Sequence, residues 1–187
     1  MGTRGAYGFY KDGETKVTYN HYDSYLEGLG EDVVEFVRKT DIQKLNTIFD
    51  ELIMVDEDGT PTKEQIQALE KWSDTRVSTG ELTEWYVLLR NAQGNLMAFK
   101  EGLRYMIDGK GFLNDSLFCE YAYIINLDEN VLEIYEGFNQ NENAQGRYRS
   151  KPDRSGYVAV RPLIEFPLDA IPSNWLEQAG VLEEDEE

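Results

Sequence analysis

The chain has 187 residues, 36 of them acidic and 18 basic, for a formal net charge of −18. That length fits one domain, and 41% hydrophobic with 12% aromatic residues gives enough apolar surface to exclude general disorder. The charge argues against direct capture of nucleic acid, which draws on clustered Lys and Arg, and the single cysteine, Cys119, excludes an internal disulfide and a Cys-rich zinc site.

Residues 5–10 and 15–20 are rich in Tyr, Phe, Val and Thr and flank Lys11-Asp12-Gly13-Glu14, so a β-hairpin is expected there. Its second strand runs into Asn20-His21-Tyr22-Asp23-Ser24-Tyr25 and then Gly28-Leu29-Gly30, a polar, aromatic loop with no regular period. From Glu31 the spacing turns helical through Val33, Val34 and Val37. A second helix follows through Ile42, Leu45, Phe49 and Ile53, with Thr40 and Gln43 as its capping box. Thr60 and Pro61 suit the start of a third, with Ile66, Leu69 and Trp72 on one face. Ser78 and Glu81 suit a fourth, carried by Leu82, Trp85, Tyr86 and Leu89 and stopped at Gly94, and residues 95–106 read as further helix.

The period then changes to two. Residues 117–125 and 131–135 flank Leu127-Asp128-Glu129-Asn130, a second hairpin. Residues 139–156 hold almost nothing apolar and are expected to form a long mobile loop. A last strand is expected over 157–166, with Pro162 marking an edge or a bulge, before a short amphipathic end around Trp175 and Leu176. The order β, α, β predicts an α+β domain over 1–180, in which N- and C-terminal hairpins share one mainly antiparallel sheet with the central helices packed on it. Residues 181–187, ending Glu-Glu-Asp-Glu-Glu, are expected to form an acidic, disordered tail.

Several of these stretches carry a resemblance. Met1-Gly2-Thr3-Arg4-Gly5, Tyr19-Asn20-His21 with Asp23-Ser24-Tyr25 and Gly28-Leu29-Gly30, Trp85-Tyr86 with Leu88-Leu89-Arg90 and Gln93-Gly94, and 115–123 (DSLFCEYAY) resemble a group of uncharacterised proteins of bacteria, fungi and phages. The resemblance spans roughly residues 1–137. It implies a single domain and a phage or mobile-element setting, and it assigns no catalytic residue.

His21, Asp23, Tyr19, Tyr22 and Tyr25 place a base, a carboxylate and aromatic faces in one loop. With Arg4 and Asn20 they form the expected ligand-binding set. The bland alternative is that His21 and Asp23 brace their own turn. Cys119 and His21 are each unique, so a thiol nucleophile could be built in one way only, with Asp23 or Asp115 orienting the imidazole. Cys119 sits in an apolar run, however, which favours burial over reactivity. An opening strand, glycine turn and strand also match the layout of N-terminal-nucleophile hydrolases, but Gly2 cannot be the nucleophile.

Asp56-Glu57-Asp58-Gly59 lacks the end carboxylates of an EF-hand, because Met54 and Gln65 fall at those positions. Arg147, Arg149, Lys151 and Arg154 form a basic island that suits an anion clamp or a solvated loop. No phosphate loop, zinc signature or nucleotide fingerprint is present, so no cofactor or metal is expected. No apolar run reaches the roughly 20 residues of a membrane span and no secretory leader is recognisable, so a cytoplasmic protein without membrane contact is expected.

The first functional expectation is an acidic binding or regulatory protein, not an enzyme, that recognises a protein or small molecule through the 19–30 loop. The alternative is a small hydrolase or transferase using His21, Asp23 and Cys119. A third reading is an acidic mimic of nucleic acid.

Overall fold

Strands β1 (Gly5–Lys11) and β2 (Glu14–Asn20) pair antiparallel across Asp12 and Gly13. These two residues hold φ of 51° and 78°, the left-handed pair that a two-residue hairpin turn of this hand requires. This computed structural model describes residues 2–180, and the tail expected over 181–187 lies outside them. After β2 come a single π-helical turn (Leu26–Gly30), then α1 (Glu31–Arg38), α2 (Ile42–Glu51), β3 (Ile53–Val55) and α3 (Lys63–Leu69). The short helices α4 (Trp85–Leu88) and α5 (Met97–Lys100) lead to β4 (Tyr105–Ile107). Strands β5 (Tyr121–Asn126), β6 (Val131–Glu136) and β7 (Arg161–Pro167) follow, and α6 (Trp175–Gly180) closes the described chain.

The fold is α+β, as the sequence predicts. The main sheet has the order β2-β1-β5-β6-β7, antiparallel throughout except for the parallel pair β1 and β5. Alternation sends Tyr7, Phe9, Tyr123, Ile125, Leu132 and Ile134 to the larger cluster, with Phe36, Phe49 and Phe99 from the helical region. Phe9 meets Phe99 edge-on at 5.7 Å, and Phe36 lies 5.9 Å from the same ring. The opposite face carries Ala6, Val17, Ala122 and Ile124 under Leu113, Cys119 and Val160. Small residues there leave room for a coat of loops.

Buried Lys16 ties sheet to helix: its Nζ donates to the carbonyls of Phe49 and Leu52, both at 2.8 Å, over the Phe49 ring. Those carbonyls lie at the C-terminal end of α2, where Phe49 O otherwise accepts only a long 3.3 Å bond from Leu52 N, so the ammonium acts as a C-terminal cap.

Several boundaries differ from expectation, each for a local reason. The cap of α2 is Asp41, whose carboxylate accepts from Lys44 N at 2.7 Å, while Thr40 Oγ1 donates to Phe36 O. Thr62 and Gln65 form the capping box of α3 in place of Thr60 and Pro61. Ser78 and Thr79 both donate to the Glu84 carboxylate, so the chain folds on itself there and only α4 is helical. Residues 105–107 are a strand, paired parallel with β3, so the helix expected over 95–106 stops short of that end. In β7 the register shifts by one residue beside Pro162, as its edge position predicts.

Residues 139–156 are tethered. Buried Asn139 donates to Ala159 O, Gln145 accepts from Ser150 N, and Tyr148 packs edge-on against Tyr135 at 5.5 Å. Arg147 reaches both Glu133 oxygens at 2.8 Å and lies 3.7 Å over the Tyr10 ring.

Candidate binding site in the 19–30 loop

His21 follows directly on the last residue of β2, two positions past Tyr19, and their side chains meet: Tyr19 Oη lies 2.5 Å from His21 Nδ1. Burial pushes the Tyr19 phenol up from its ordinary value, partly offset by the charge of Arg4, so it is neutral at physiological pH. Two tautomers satisfy the contact: the phenol donates to Nδ1, leaving the ring proton on Nε2, or Nδ1–H donates to the phenol. The His21 amide donates to Gln93 Oε1 at 2.9 Å. The Tyr22 ring stands edge-on to the imidazole at 4.4 Å, and the Arg90 guanidinium lies over the Tyr22 ring at 5.6 Å.

Behind the loop lies a polar lock. The buried Asn20 amide donates to Tyr22 O at 2.7 Å and Ser24 Oγ at 2.9 Å. Ser24 N donates to Thr3 O, and Ser24 O accepts from Tyr123 Oη at 2.8 Å. Asp23 takes φ of 53°, which turns its carbonyl back to accept from Leu29 N at 2.8 Å. That bond closes the π-helical turn, where Gly30 N reaches Tyr25 O five residues back. A side chain at Gly28 would put its Cβ 2.2 Å from Asp23 O, so the turn needs glycine there. At Gly94, with φ of 77°, a Cβ would stand 2.8 Å from Asn20 Oδ1. A left-handed aspartate and a π turn within eight residues are the kind of strained backbone that gathers at functional sites.

The loop divides two clefts, and Gln93 borders both. The outer one, about 450 Å³, is bordered by Tyr22, Asp23, Tyr25, Glu27, Glu31 and Asp32, with Arg90 among them. Desolvation, then the charges of Glu35 and Glu31, push Asp32 above its ordinary value. The inner one, about 500 Å³, is bordered by Tyr19, Tyr86 and Phe112 with Glu57, Asp108 and Asp115.

The expected residues therefore separate. Tyr22, Asp23 and Tyr25 face the outer cleft, Tyr19 faces the inner one, and Asn20 holds the turn while also edging the outer cleft. Arg4 lies elsewhere: its guanidinium is 5.7 Å over Phe118 and its amide donates to Glu120. Among the described residues no hydrogen bond joins His21 to Asp23; the partner of the imidazole is Tyr19.

Cys119 is fully buried on the loop-covered face, its Sγ 3.5 Å from Tyr121 O, and burial followed by the charges of Asp115 and Glu120 pushes its thiol far up. Among the described residues no hydrogen bond joins it to His21, so the Cys-His pair is not assembled. Arg147, engaged with Glu133, is not free to clamp an anion. No group of three or more His, Cys, Asp or Glu among the described residues is placed to hold a metal ion, and none of their helices is long and apolar enough to cross a membrane.

Tyr86, Arg90 and Gln93 lie in stretches that carry the resemblance, which assigns no site residue, and Phe112 lies outside them. Gln93 reaches His21 across 72 positions, and only the fold makes them neighbours. Set against protein-family models, curated proteins and solved structures, the chain matches none, so the functional reading stands on this geometry.

Proposed function

We propose that the protein is a non-catalytic recognition protein that holds a basic segment of a partner protein against the outer face of the 19–30 loop. One observation carries the reading. The loop backbone is locked from behind, while the side chains it presents have little internal engagement: Tyr22 and Tyr25 are 54% and 38% exposed, and neither the Asp23 carboxylate nor the Tyr25 hydroxyl has a hydrogen bond among the described residues. A preorganised loop gives up little conformational entropy on binding, and exposed tyrosines supply contact area with few rotors.

Charge decides the partner's chemistry. Asp23, Glu27, Glu31 and Asp32 border the cleft against one cation, Arg90, and the chain carries −18 overall. An Arg- or Lys-bearing segment is drawn to such a surface, and its charge offsets the desolvation and then the repulsion from Glu35 and Glu31 that raise Asp32.

The test is fluorescence titration with short peptides that carry Arg or Lys beside an aromatic residue, against their Asp or Glu counterparts. The basic peptides bind in a salt-sensitive way and lose about tenfold in affinity in Tyr22→Ala and in Asp23→Asn. Binding that ignores these substitutions, or no binding by any basic peptide, overturns the reading.

A further inference from the structure

The inner cleft has chemistry of its own, independent of the partner surface. Its walls come from three places: Tyr19 at the end of β2, Tyr86 in α4, and Phe112 in the turn after β4. Tyr19 and Phe112 meet edge-on, with centroids 5.0 Å apart and planes at 80°. The close approach of Gly109 sets this corner: its amide donates to Val17 O at 2.9 Å, and a Cβ there would stand 2.8 Å from Tyr19 N. The volume of about 500 Å³ is that of a small-molecule site.

Three carboxylates rim these rings. Glu57, Asp108 and Asp115 enter none of the ion pairs among the described residues. The Tyr86 hydroxyl has no hydrogen bond there, and Gln93 uses only Oε1, for the His21 amide, leaving its Nε2 free. Arg4, the cation whose charge acts on Tyr19, has its guanidinium over Phe118. A separate cavity of about 30 Å³, lined by Tyr7, Phe99, Leu103 and Met106, shares Tyr86 and Gln93 with the cleft. That is room for about one water or methyl group, so the apolar body of a ligand stays among the rings.

We infer that the cleft walled by Tyr19, Tyr86 and Phe112 binds a small organic cation, an amine or guanidinium carried on an apolar or aromatic frame. Aromatic faces attract a cation through their quadrupoles, and the carboxylates at the rim add charge-assisted hydrogen bonds to its N–H groups. The carboxylates are too dispersed to form a metal-binding group, and they repel an anion. An ammonium bridging rim and rings uses both features.

The test is titration of the full chain, followed by NMR, with benzylamine, its neutral counterpart benzyl alcohol and its anionic counterpart benzoate, and with agmatine as a guanidinium probe. Benzylamine or agmatine shifts the signals of Tyr19, Tyr86 and Phe112, and benzyl alcohol binds about tenfold more weakly, equivalent to roughly 1.4 kcal/mol. Asp115→Asn and Glu57→Gln each weaken the cation about fivefold without touching benzyl alcohol, and Phe112→Leu weakens both probes. Tyr22→Ala leaves the cation affinity unchanged, which keeps this result separate from the partner surface. Equal affinity for benzylamine and benzyl alcohol, tighter binding of benzoate, cation binding that survives both carboxylate substitutions, or no binding by either cation overturns the inference.

Discussion

The 19–30 loop and the 139–156 segment look alike in sequence, polar and poor in aliphatic residues, and both are pinned by side chains. They differ in which side chains do the pinning. In the 19–30 loop the neutral groups of Asn20 and Ser24 face inward, and the tyrosines and Asp23 are left outside. In 139–156 a charged group joins the neutral pins Asn139 and Gln145: Arg147 is held by Glu133, Tyr10 and Tyr148, while Arg149, Lys151 and Arg154 enter none of the ion pairs among the described residues. A charged residue in a loop points to a ligand only when its charge is not already matched by the protein itself.

The largest expected effect breaks the first region alone. Gly28→Ala forces a Cβ into Asp23 O and should cost about 3 kcal/mol in urea unfolding while opening the π-helical turn. Retained stability with intact peptide binding would show that the turn is not what organises the loop.

Alkali acts next. Burial holds the Tyr7 phenol up at about 12, against an ordinary value of 10.0, and its oxygen accepts from Gly94 N in the turn beneath the loop. Above pH 10 the unfolded chain releases this proton while the folded chain keeps it, so stability falls as pH rises. The loss is about 2 to 3 kcal/mol by pH 12, and none of it arises below pH 9. Tyr7→Phe should flatten that limb in pH-dependent denaturation, leaving the share of other buried tyrosines such as Tyr123.

Arg147→Met tests the second region. It leaves Glu133, whose side chain is 13% exposed, without its cation, and should cost about 2 kcal/mol. Hydrogen exchange should rise across 142–156 and stay unchanged at 19–30; a change in the loop would show that the regions are coupled. The smallest stability effect belongs to Tyr22→Ala, about 0.5 kcal/mol or less, despite its effect on peptide capture.

What the sequence reveals follows how local each interaction is. Asp12-Gly13 encodes its turn in two residues, and Pro162 announces an irregular edge strand by itself. The Tyr19 and His21 contact joins two residues that the sequence already places together in one loop after the strand. By contrast β3 and β4 are three residues each, sit among helical spacings, and become strands only by pairing with one another. Glu57, Tyr86 and Phe112 lie in separate segments, and no spacing rule brings them to one cleft. Arg147 read as part of a free basic island because its partner Glu133 belongs to a strand of the second hairpin.

The parallel pair of β1 and β5 sets the order of events in folding. Gly5 lies opposite Tyr121, and Arg4 bonds Glu120 across 116 positions, so the central seam of the sheet joins chain made early to chain made late. The first hairpin must wait, with one side of β1 unpaired, until residue 126 is available. So distant a closure predicts slow folding and high contact order. A chain interrupted before β5 keeps that edge open to pairing with other chains, which makes the interval of synthesis between 20 and 126 the period of greatest exposure to aggregation.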